Sequence, residues 1–143
     1  MVENMWQKMI VWFLGICLAV TCLGGCGMGK TDTEKIRDLD YTVLESEEIP
    51  AELGEMIEEK KEGEFKLTYT SQGYLYIARG FGMQETGGYS IQMRELYLTD
   101  NAIYFGADLI GPKKEDHVKE AVSYPYIVVK TEAVDENVVF ESR

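Results

Sequence analysis

The fold of this chain is decided by the stretch Phe65-Lys66-Leu67-Thr68-Tyr69-Thr70-Ser71-Gln72-Gly73-Tyr74-Leu75-Tyr76-Ile77-Ala78-Arg79-Gly80. Its first half alternates apolar with polar residues, which is the two-residue period of a strand with one buried face. Gln72-Gly73 then predicts a tight turn into a second strand. Because a turn this short joins strands that run in opposite directions, the stretch predicts an antiparallel hairpin.

More strands are predicted on the C-terminal side of the hairpin. The segment Tyr89–Leu98 shifts its apolar parity between Met93 and Leu96, which indicates a β-bulge near Arg94-Glu95. Tyr124-Pro125-Tyr126-Ile127-Val128-Val129 is apolar at both parities, which is typical of a strand covered on both faces. Two further strands are predicted at 102–110 and 138–141.

On the N-terminal side of the hairpin the pattern predicts a short strand at 40–45 and one helix over 50–62. Pro50 begins the helix and Gly63 follows its end. The apolar stripe of the helix consists of Leu53, Met56 and Ile57. Because the connections look too short for parallel crossovers, we expect an α+β domain. It would hold six or seven short strands, mainly antiparallel, in a curled sheet or a sandwich with one amphipathic helix.

The N-terminal residues have the layout of an export signal. Residues 9–29 carry no charge, and the run ends in Leu23-Gly24-Gly25-Cys26, which resembles the bacterial lipobox. We therefore expect a lipoprotein signal peptide at 1–25, a lipidated Cys26 with a polar tether at 26–39, and a folded domain at 40–143. The alternative is an uncleaved transmembrane helix, since about 20 uncharged residues can span a bilayer. Both interpretations place the domain on the extracytoplasmic face of the cell membrane.

Charge and cysteine content restrict the partners of the domain. Asp and Glu number 25 against 14 Lys and Arg, for a formal net charge of -11. This balance argues against nucleic acid and against electrostatic docking on anionic lipid. The cysteines are Cys17, Cys22 and Cys26, so the sequence after residue 26 offers no disulfide and no thiolate metal site.

The sequence indicates no set of catalytic residues. The only histidine is His117, within the charged stretch 113–120, where we expect a solvated side chain. Ser90 lies in Gly87-Gly88-Tyr89-Ser90-Ile91, which differs from the nucleophile elbow of hydrolases. Acidic residues abound, but no spacing singles out a catalytic pair. The sequence therefore predicts a protein that is not an enzyme and that needs no cofactor or metal.

Candidate interaction residues are easier to find. The Gly87-Gly88 pair indicates either a hairpin turn before a core tyrosine or a loop whose backbone closely approaches a partner. Tyr74 and Tyr76 share one strand face, as exposed anchors or as core residues. The candidate partner-binding residues are Thr86, Gly87, Gly88, Tyr89, Ser90, Tyr124 and Tyr126.

Two of these motifs also carry a family resemblance. They are Thr86-Gly87-Gly88-Tyr89-Ser90-Ile91 and Ser123-Tyr124-Pro125-Tyr126-Ile127-Val128-Val129, with Gly111-Pro112 between them. The segment from about Gly73 to Phe140 resembles the C-terminal domain of the PrcB-like family of protease-complex accessory lipoproteins. The resemblance implies an exported, often lipidated subunit without catalytic residues, which associates with a surface subtilisin-like protease.

Two hypotheses follow for the function of the chain. The first is a lipid-anchored binding module that supports an exported protease or another envelope protein. The second is a structural envelope lipoprotein without a protease partner, which sequesters a peptide or glycan on its sheet. An enzyme forms a third class, which the lack of a catalytic base disfavours.

Overall fold

The computed structural model describes residues 34–142 of the chain. The strands are β1 (Arg37–Asp38), β2 (Tyr41–Val43), β3 (Glu64–Ser71), β4 (Tyr74–Phe81), β5 (Ser90–Leu98), β6 (Ala102–Ile110), β7 (Tyr126–Glu132) and β8 (Asn137–Glu141). A 3-10 turn, Ser46–Glu48, precedes the helix α1, Ala51–Lys60. The predicted signal peptide and Cys26 lie outside the described residues. Within 34–142, no helix has both the length and the apolar character needed to span a membrane.

The strands form two four-stranded sheets. The central sheet has the order β2-β7-β4-β3, and the outer sheet has the order β1-β5-β6-β8. Neighbouring strands are antiparallel except for β6 and β8, which are parallel. The predicted α+β class with mainly antiparallel strands is therefore confirmed, and of the two predicted arrangements the structure has the sandwich.

The parallel pair β6–β8 corrects one expectation, that every connection would be too short for a parallel crossover. The chain leaves the outer sheet after β6, adds β7 to the central sheet, and returns to the outer sheet as β8. The strand β7 with its flanking loops is thus the crossover. The prediction counted only direct connections between successive strands, whereas a sandwich allows the second sheet to hold the connecting segment.

The first core lies between the two sheets and contains side chains from both. The central sheet contributes residues of one parity from β4 and β7, and the outer sheet contributes residues of β5 and β6. The fully or nearly buried members of this core are Leu39, Leu75, Ile77, Leu96, Ile103, Phe105, Ile127 and Val129. Side chains of the opposite parity in β4 and β7 therefore point away from the outer sheet.

The second core lies on the other face of the central sheet, where α1 covers it. Its buried members are Leu53, Ile57, Phe65, Tyr76, Ala78 and Val128, with Met56 and Tyr126 packed against them. The predicted apolar stripe of the helix is the surface that makes this contact. Because β7 contributes to both cores, the expectation that residues 124–129 are covered on both faces is confirmed for the part of the segment in β7.

Local backbone details also agree with the sequence. Gln72 and Gly73 both have positive φ angles, 52° and 81°, as the two central residues of a type I′ hairpin turn require. The register of β5 against β6 shifts between Met93 and Glu95, which confirms the bulge. Gly80 pairs with Phe65 across β3 and β4, and a Cβ atom on Gly80 would overlap the Phe65 ring.

The strand β1 was not predicted from the sequence. Arg37 and Asp38 pair with Leu98 and Tyr97 of β5, and the following Leu39 is buried in the core between the sheets. These residues fall inside the predicted tether, so ordered structure begins before residue 40. A two-residue strand is too short to show a period, which explains why no pattern indicated it.

Candidate partner-binding site

The motif Thr86–Ser90 ends the connection from β4 to β5, and this connection is tied to the chain segment that precedes β7. Gln84 and Ser123 exchange two backbone hydrogen bonds of 2.8 and 3.0 Å. The Ser123 hydroxyl donates to the carbonyl oxygen of Thr86 at 2.7 Å, and the N–H of Gly87 donates to the carbonyl oxygen of Lys119 at 3.0 Å. The loop is thus held by main-chain and side-chain bonds within the domain.

Gly88 is the glycine of this loop that leaves the least room for a side chain. Its φ angle is +85°, and a Cβ atom there would lie 2.5 Å from Cγ1 of Val118 and 3.0 Å from Cβ of Pro112. The glycine is therefore required by contacts inside the protein. Tyr89 is half-buried against Gly111, whereas Ser90 is exposed at the start of β5.

The two tyrosines of β4 differ in environment although they share one face. Tyr74 is 44% exposed, while Tyr76 is only 8% exposed and packs under the helix. Lys130 lies over both rings, with its Nζ 4.0 Å from the Tyr74 centroid and 5.9 Å from the Tyr76 centroid. Of this pair, only Tyr74 presents its ring to solvent.

Tyr124 and Tyr126 lie beside a groove at the edge of the central sheet. Both side chains are half-buried. The Nζ of Lys61 lies 5.3 Å from the Tyr124 ring centroid, and the Tyr126 ring lies 6.3 Å from that of Phe65. These contacts hold both rings on the side of the central sheet that carries α1.

The groove itself has a volume of about 340 Å³ and separates the start of β7 from the chain that follows β2. Its residues come from two segments that are distant in sequence: Val43, Leu44, Glu45, Ser46 and Ile49 on one side, and Tyr124, Pro125, Tyr126, Ile127 and Val128 on the other. The first segment was predicted only as a strand at 40–45. Nothing in its sequence indicated a site, because the groove appears only when β2 pairs with β7.

The structure therefore divides the candidate residues between two places. Thr86, Gly87 and Gly88 contact the segment before β7, as described above, and they do not line the groove. Tyr124 and Tyr126 do line it. The bridge from Gln84 to Ser123 joins the two places, because Ser123 is directly followed by Tyr124. In this way the loop fixes the position of one groove wall.

Glutamates dominate the charge at the rim of the groove. Glu45 lines it, and Glu47 and Glu48 are exposed in the adjoining 3-10 turn. The N–H of Glu45 donates to Oε1 of Glu48 at 3.0 Å. On the opposite rim Lys61 forms a 2.8 Å ion pair with Glu58, and that hydrogen bond raises the pKa of Lys61. The rim thus has more negative than positive charge.

A second polar cluster occupies the solvent-facing side of the outer sheet. Tyr97 and Tyr104 stack with centroids 5.1 Å apart, and Tyr97 donates to Glu141 at 3.4 Å. A hydrogen bond with Glu95, together with desolvation, raises the pKa of Glu141. This carboxylate pair joins β5 to β8, and no spacing in the sequence indicated it.

Among the described residues, no group of three or more acidic, histidine or cysteine side chains is placed to hold a metal ion.

Comparison with known proteins supplies one match. Residues 75–132 match the family model described as PrcB C-terminal, which confirms the resemblance predicted from the motifs. The matched span begins in β4 and ends with β7, so it includes the Thr86–Ser90 loop and both groove tyrosines. No curated protein and no solved structure shows significant similarity to the chain.

Proposed function

We propose that this protein is a non-catalytic accessory module that supports a surface subtilisin-like protease complex, because residues 75–132 match the family model described as PrcB C-terminal. The family match is the observation that carries the proposal. We further propose that the protein is exported and held by a lipid on Cys26 at the extracytoplasmic face of the cell membrane. Its domain then acts by binding, with no cofactor.

The geometry of the domain supports a binding role. The matched span supplies one complete wall of the groove, and the residues before α1 supply the other. The loop at Thr86–Ser90 holds the first wall in place through Ser123. Half-buried tyrosines in a preformed groove are well suited to recognition, because a tyrosine gives a large contact area at low conformational cost.

The first experiment tests the partner. Tagged full-length protein is cross-linked lightly in its own envelope, purified and analysed by mass spectrometry. We expect a subtilisin-like protease in stoichiometric amount, which is lost with Tyr124→Ala at the groove. Tyr74→Ala is the matched control, because Tyr74 is an exposed tyrosine at the other end of the same sheet face. Recovery of abundant envelope proteins alone, unchanged by Tyr124→Ala, would contradict the proposal.

The second experiment tests the anchor. Cys26→Ala should move the protein from the membrane to the soluble fraction without unfolding the domain, because acyl chains on this thiol provide the attachment. Cys17→Ala and Cys22→Ala are matched controls and should stay in the membrane fraction. Retention of Cys26→Ala in the membrane would favour the uncleaved transmembrane helix instead.

One observation favours a second candidate function. The groove volume of about 340 Å³ falls at the lower end of the range for small-molecule sites. A structural envelope lipoprotein that sequesters a small ligand or a glycan would use the same tyrosines. Recovery of such a ligand with the purified protein, together with the absence of any protease, would favour this alternative.

A further inference from the structure

The groove lies where the central sheet loses its edge strand. The strand β2 follows β7 as far as Leu44, whose N–H donates to the carbonyl oxygen of Val128 at 2.9 Å. In the same register Ser46 would stand opposite Tyr126. Ser46 instead begins the 3-10 turn, so the chain bends away from the sheet before it reaches that position.

The register also shows in which direction the main-chain groups of Tyr124 and Tyr126 point. The N–H of Phe81 in β4 donates to the carbonyl oxygen of Pro125 at 3.0 Å. Tyr126 is the first residue of β7, and successive strand residues turn their N–H and C=O groups to opposite sides, so those of Tyr126 face the side that β2 has left. Tyr124 precedes the strand between Ser123 and Pro125, whose main-chain bonds go to Gln84 and Phe81, so we infer that its groups face the same open side. Within residues 34–142, β2 supplies no residue opposite either tyrosine.

An open edge of this kind is a template for another strand. Main-chain donors and acceptors in a row are best satisfied by another extended backbone. The groove beside them provides apolar contacts on its second wall, from Val43, which is 51% exposed, and from Leu44 and Ile49. An added strand would place alternate side chains against this wall and against the two tyrosines.

Charge restricts which strand would bind. Glu45 lines the groove, and Glu47 and Glu48 adjoin it. Lys61, whose Nζ lies over the Tyr124 ring, is already paired with Glu58. The full chain carries a net charge of -11. Basic side chains on the added strand would be attracted, and acidic ones would be repelled.

We propose that this groove binds an extended segment of a partner protein in which apolar residues alternate with Lys or Arg, added as a strand along Tyr126 at the start of β7 and the preceding Tyr124. The identity of that partner as a protease complex rests on the proposed function. The open edge of the sheet and the negative charge beside it are independent of that proposed function. In this proposal, main-chain hydrogen bonds are the principal interaction, and side-chain contacts add to them.

The test uses the full chain and three fluorescent octapeptides. The first alternates valine with lysine, the second has the same sequence with its four central amides N-methylated, and the third alternates valine with glutamate. We expect the N-methylated peptide to bind about tenfold more weakly than the first, as the loss of two main-chain hydrogen bonds would give. The acidic peptide should also bind about tenfold more weakly at low salt.

Amide hydrogen exchange locates the bound peptide. On saturation with the valine–lysine peptide, exchange at the Tyr126 amide should slow about tenfold or more, because that N–H gains a hydrogen bond. The neighbouring Ile127 is the internal control, since its N–H faces β4 and should keep its rate. Peptide binding and hydrogen exchange are both measured on the unmodified protein, so neither result depends on whether a variant folds.

A charge reversal adds a third arm. Glu45→Lys should weaken binding of the valine–lysine peptide about threefold, while Glu136→Lys, an exposed glutamate before β8, should change it less than about twofold. Equal affinity for the N-methylated and unmodified peptides, or no slowing at Tyr126, would overturn the proposal. The assay contains no protease, so peptide binding without protease recovery from the envelope would reject only the proposed function.

Discussion

The central and outer sheets have the same number of strands but differ in how their faces are used. The central sheet is covered by α1 on one face and by the outer sheet on the other, so β7 contributes Val128 to one core and Val129 to the other. The outer sheet has a single buried face. Its other face carries the stacked Tyr97 and Tyr104 and the pair of Glu95 with Glu141.

This difference shows where the domain tolerates change. In the two inner strands of the central sheet, β4 and β7, most residues of either parity are restricted by packing. In the outer sheet every second residue is restricted only by its polar neighbours. One open part of the central sheet is the edge at Tyr124 and Tyr126. A site there can change its side-chain contacts while the interior of the sheet stays fixed.

The same substitution in the two sheets gives the largest expected effect. Val129 of β7 is 0% exposed and Val139 of β8 is 39% exposed. Val129→Ala should lower the free energy of unfolding by about 2.5 kcal/mol, since it removes buried apolar surface and leaves a cavity. Val139→Ala should lower it by about 0.5 kcal/mol or less. Urea unfolding of both variants checks the difference, and equal losses would contradict the contrast between the sheets.

A pair of glycine substitutions should give opposite signs. In Gly80→Ala the new methyl group would overlap the Phe65 ring between β3 and β4, which should cost about 2 kcal/mol. In Gly54→Ala no atom lies within 4 Å of the new Cβ, so the helix should gain about 0.7 kcal/mol from the better propensity of alanine. Thermal unfolding measures both. A stabilised Gly80→Ala variant would mean that Phe65 can move aside at no cost.

The carboxylate pair of the outer sheet predicts a pH dependence. The pKa of Glu141 lies above its ordinary value of 4.5 in the folded state because Glu95 shares its proton. The stability from this pair is therefore present below about pH 4.5 and is lost as the pH rises through the folded pKa. Glu141→Gln keeps a donor to Glu95, so it should be more stable than the parent at pH 7, by less than about 1 kcal/mol, and equal to it near pH 4.

Urea unfolding at the two pH values measures this effect, with Glu136→Gln as an exposed control that should show none. The charged and titratable neighbours on this face include Lys35, Arg94, Glu95, Tyr97, Tyr104 and Asp108. A pH-independent difference between Glu141→Gln and the parent would show that the substitution acts through packing alone.

The smallest expected effect belongs to an ion pair that joins the two sheets. Arg37 in β1 lies 2.6 Å from Glu132 in β7, and both side chains are about half exposed. Arg37→Ala should lower the free energy of unfolding by about 0.5 kcal/mol, and this loss should shrink in high salt. A loss that is larger and independent of salt would indicate that β1 has a structural role beyond its charge.

Much of the fold could be predicted because the strongest patterns coincide with the best-covered strands. The alternation at Phe65, Leu67 and Tyr69 and the double parity of residues 126–129 follow from the two cores. The parity shift at Met93 indicated the bulge correctly. Two features could not be predicted from the alternation of apolar and polar residues. The strand β1 has too few residues to show a period, and the parallel pairing of β8 depends on where β7 lies.

The candidate site was less predictable for a physical reason. Glycine at position 88 indicates a close approach, but a sequence cannot show whether the neighbour is a partner or Val118 of the same domain. Tyr124 and Tyr126, which were predicted as partner-binding residues, line the groove. The opposite wall was missed, because Val43 and Ile49 lie about eighty residues away in sequence and meet β7 only through its pairing with β2.

The route of the chain between the sheets has a consequence for how the domain unfolds. The chain crosses from one sheet to the other after β1, β4, β6 and β7, so neither sheet consists of one continuous segment. Detaching β7 from the central sheet would also release the connection that holds β8 beside β6. Partial opening of one layer is therefore expected to disrupt the other, and the domain should unfold in one cooperative transition, with equal calorimetric and van't Hoff enthalpies.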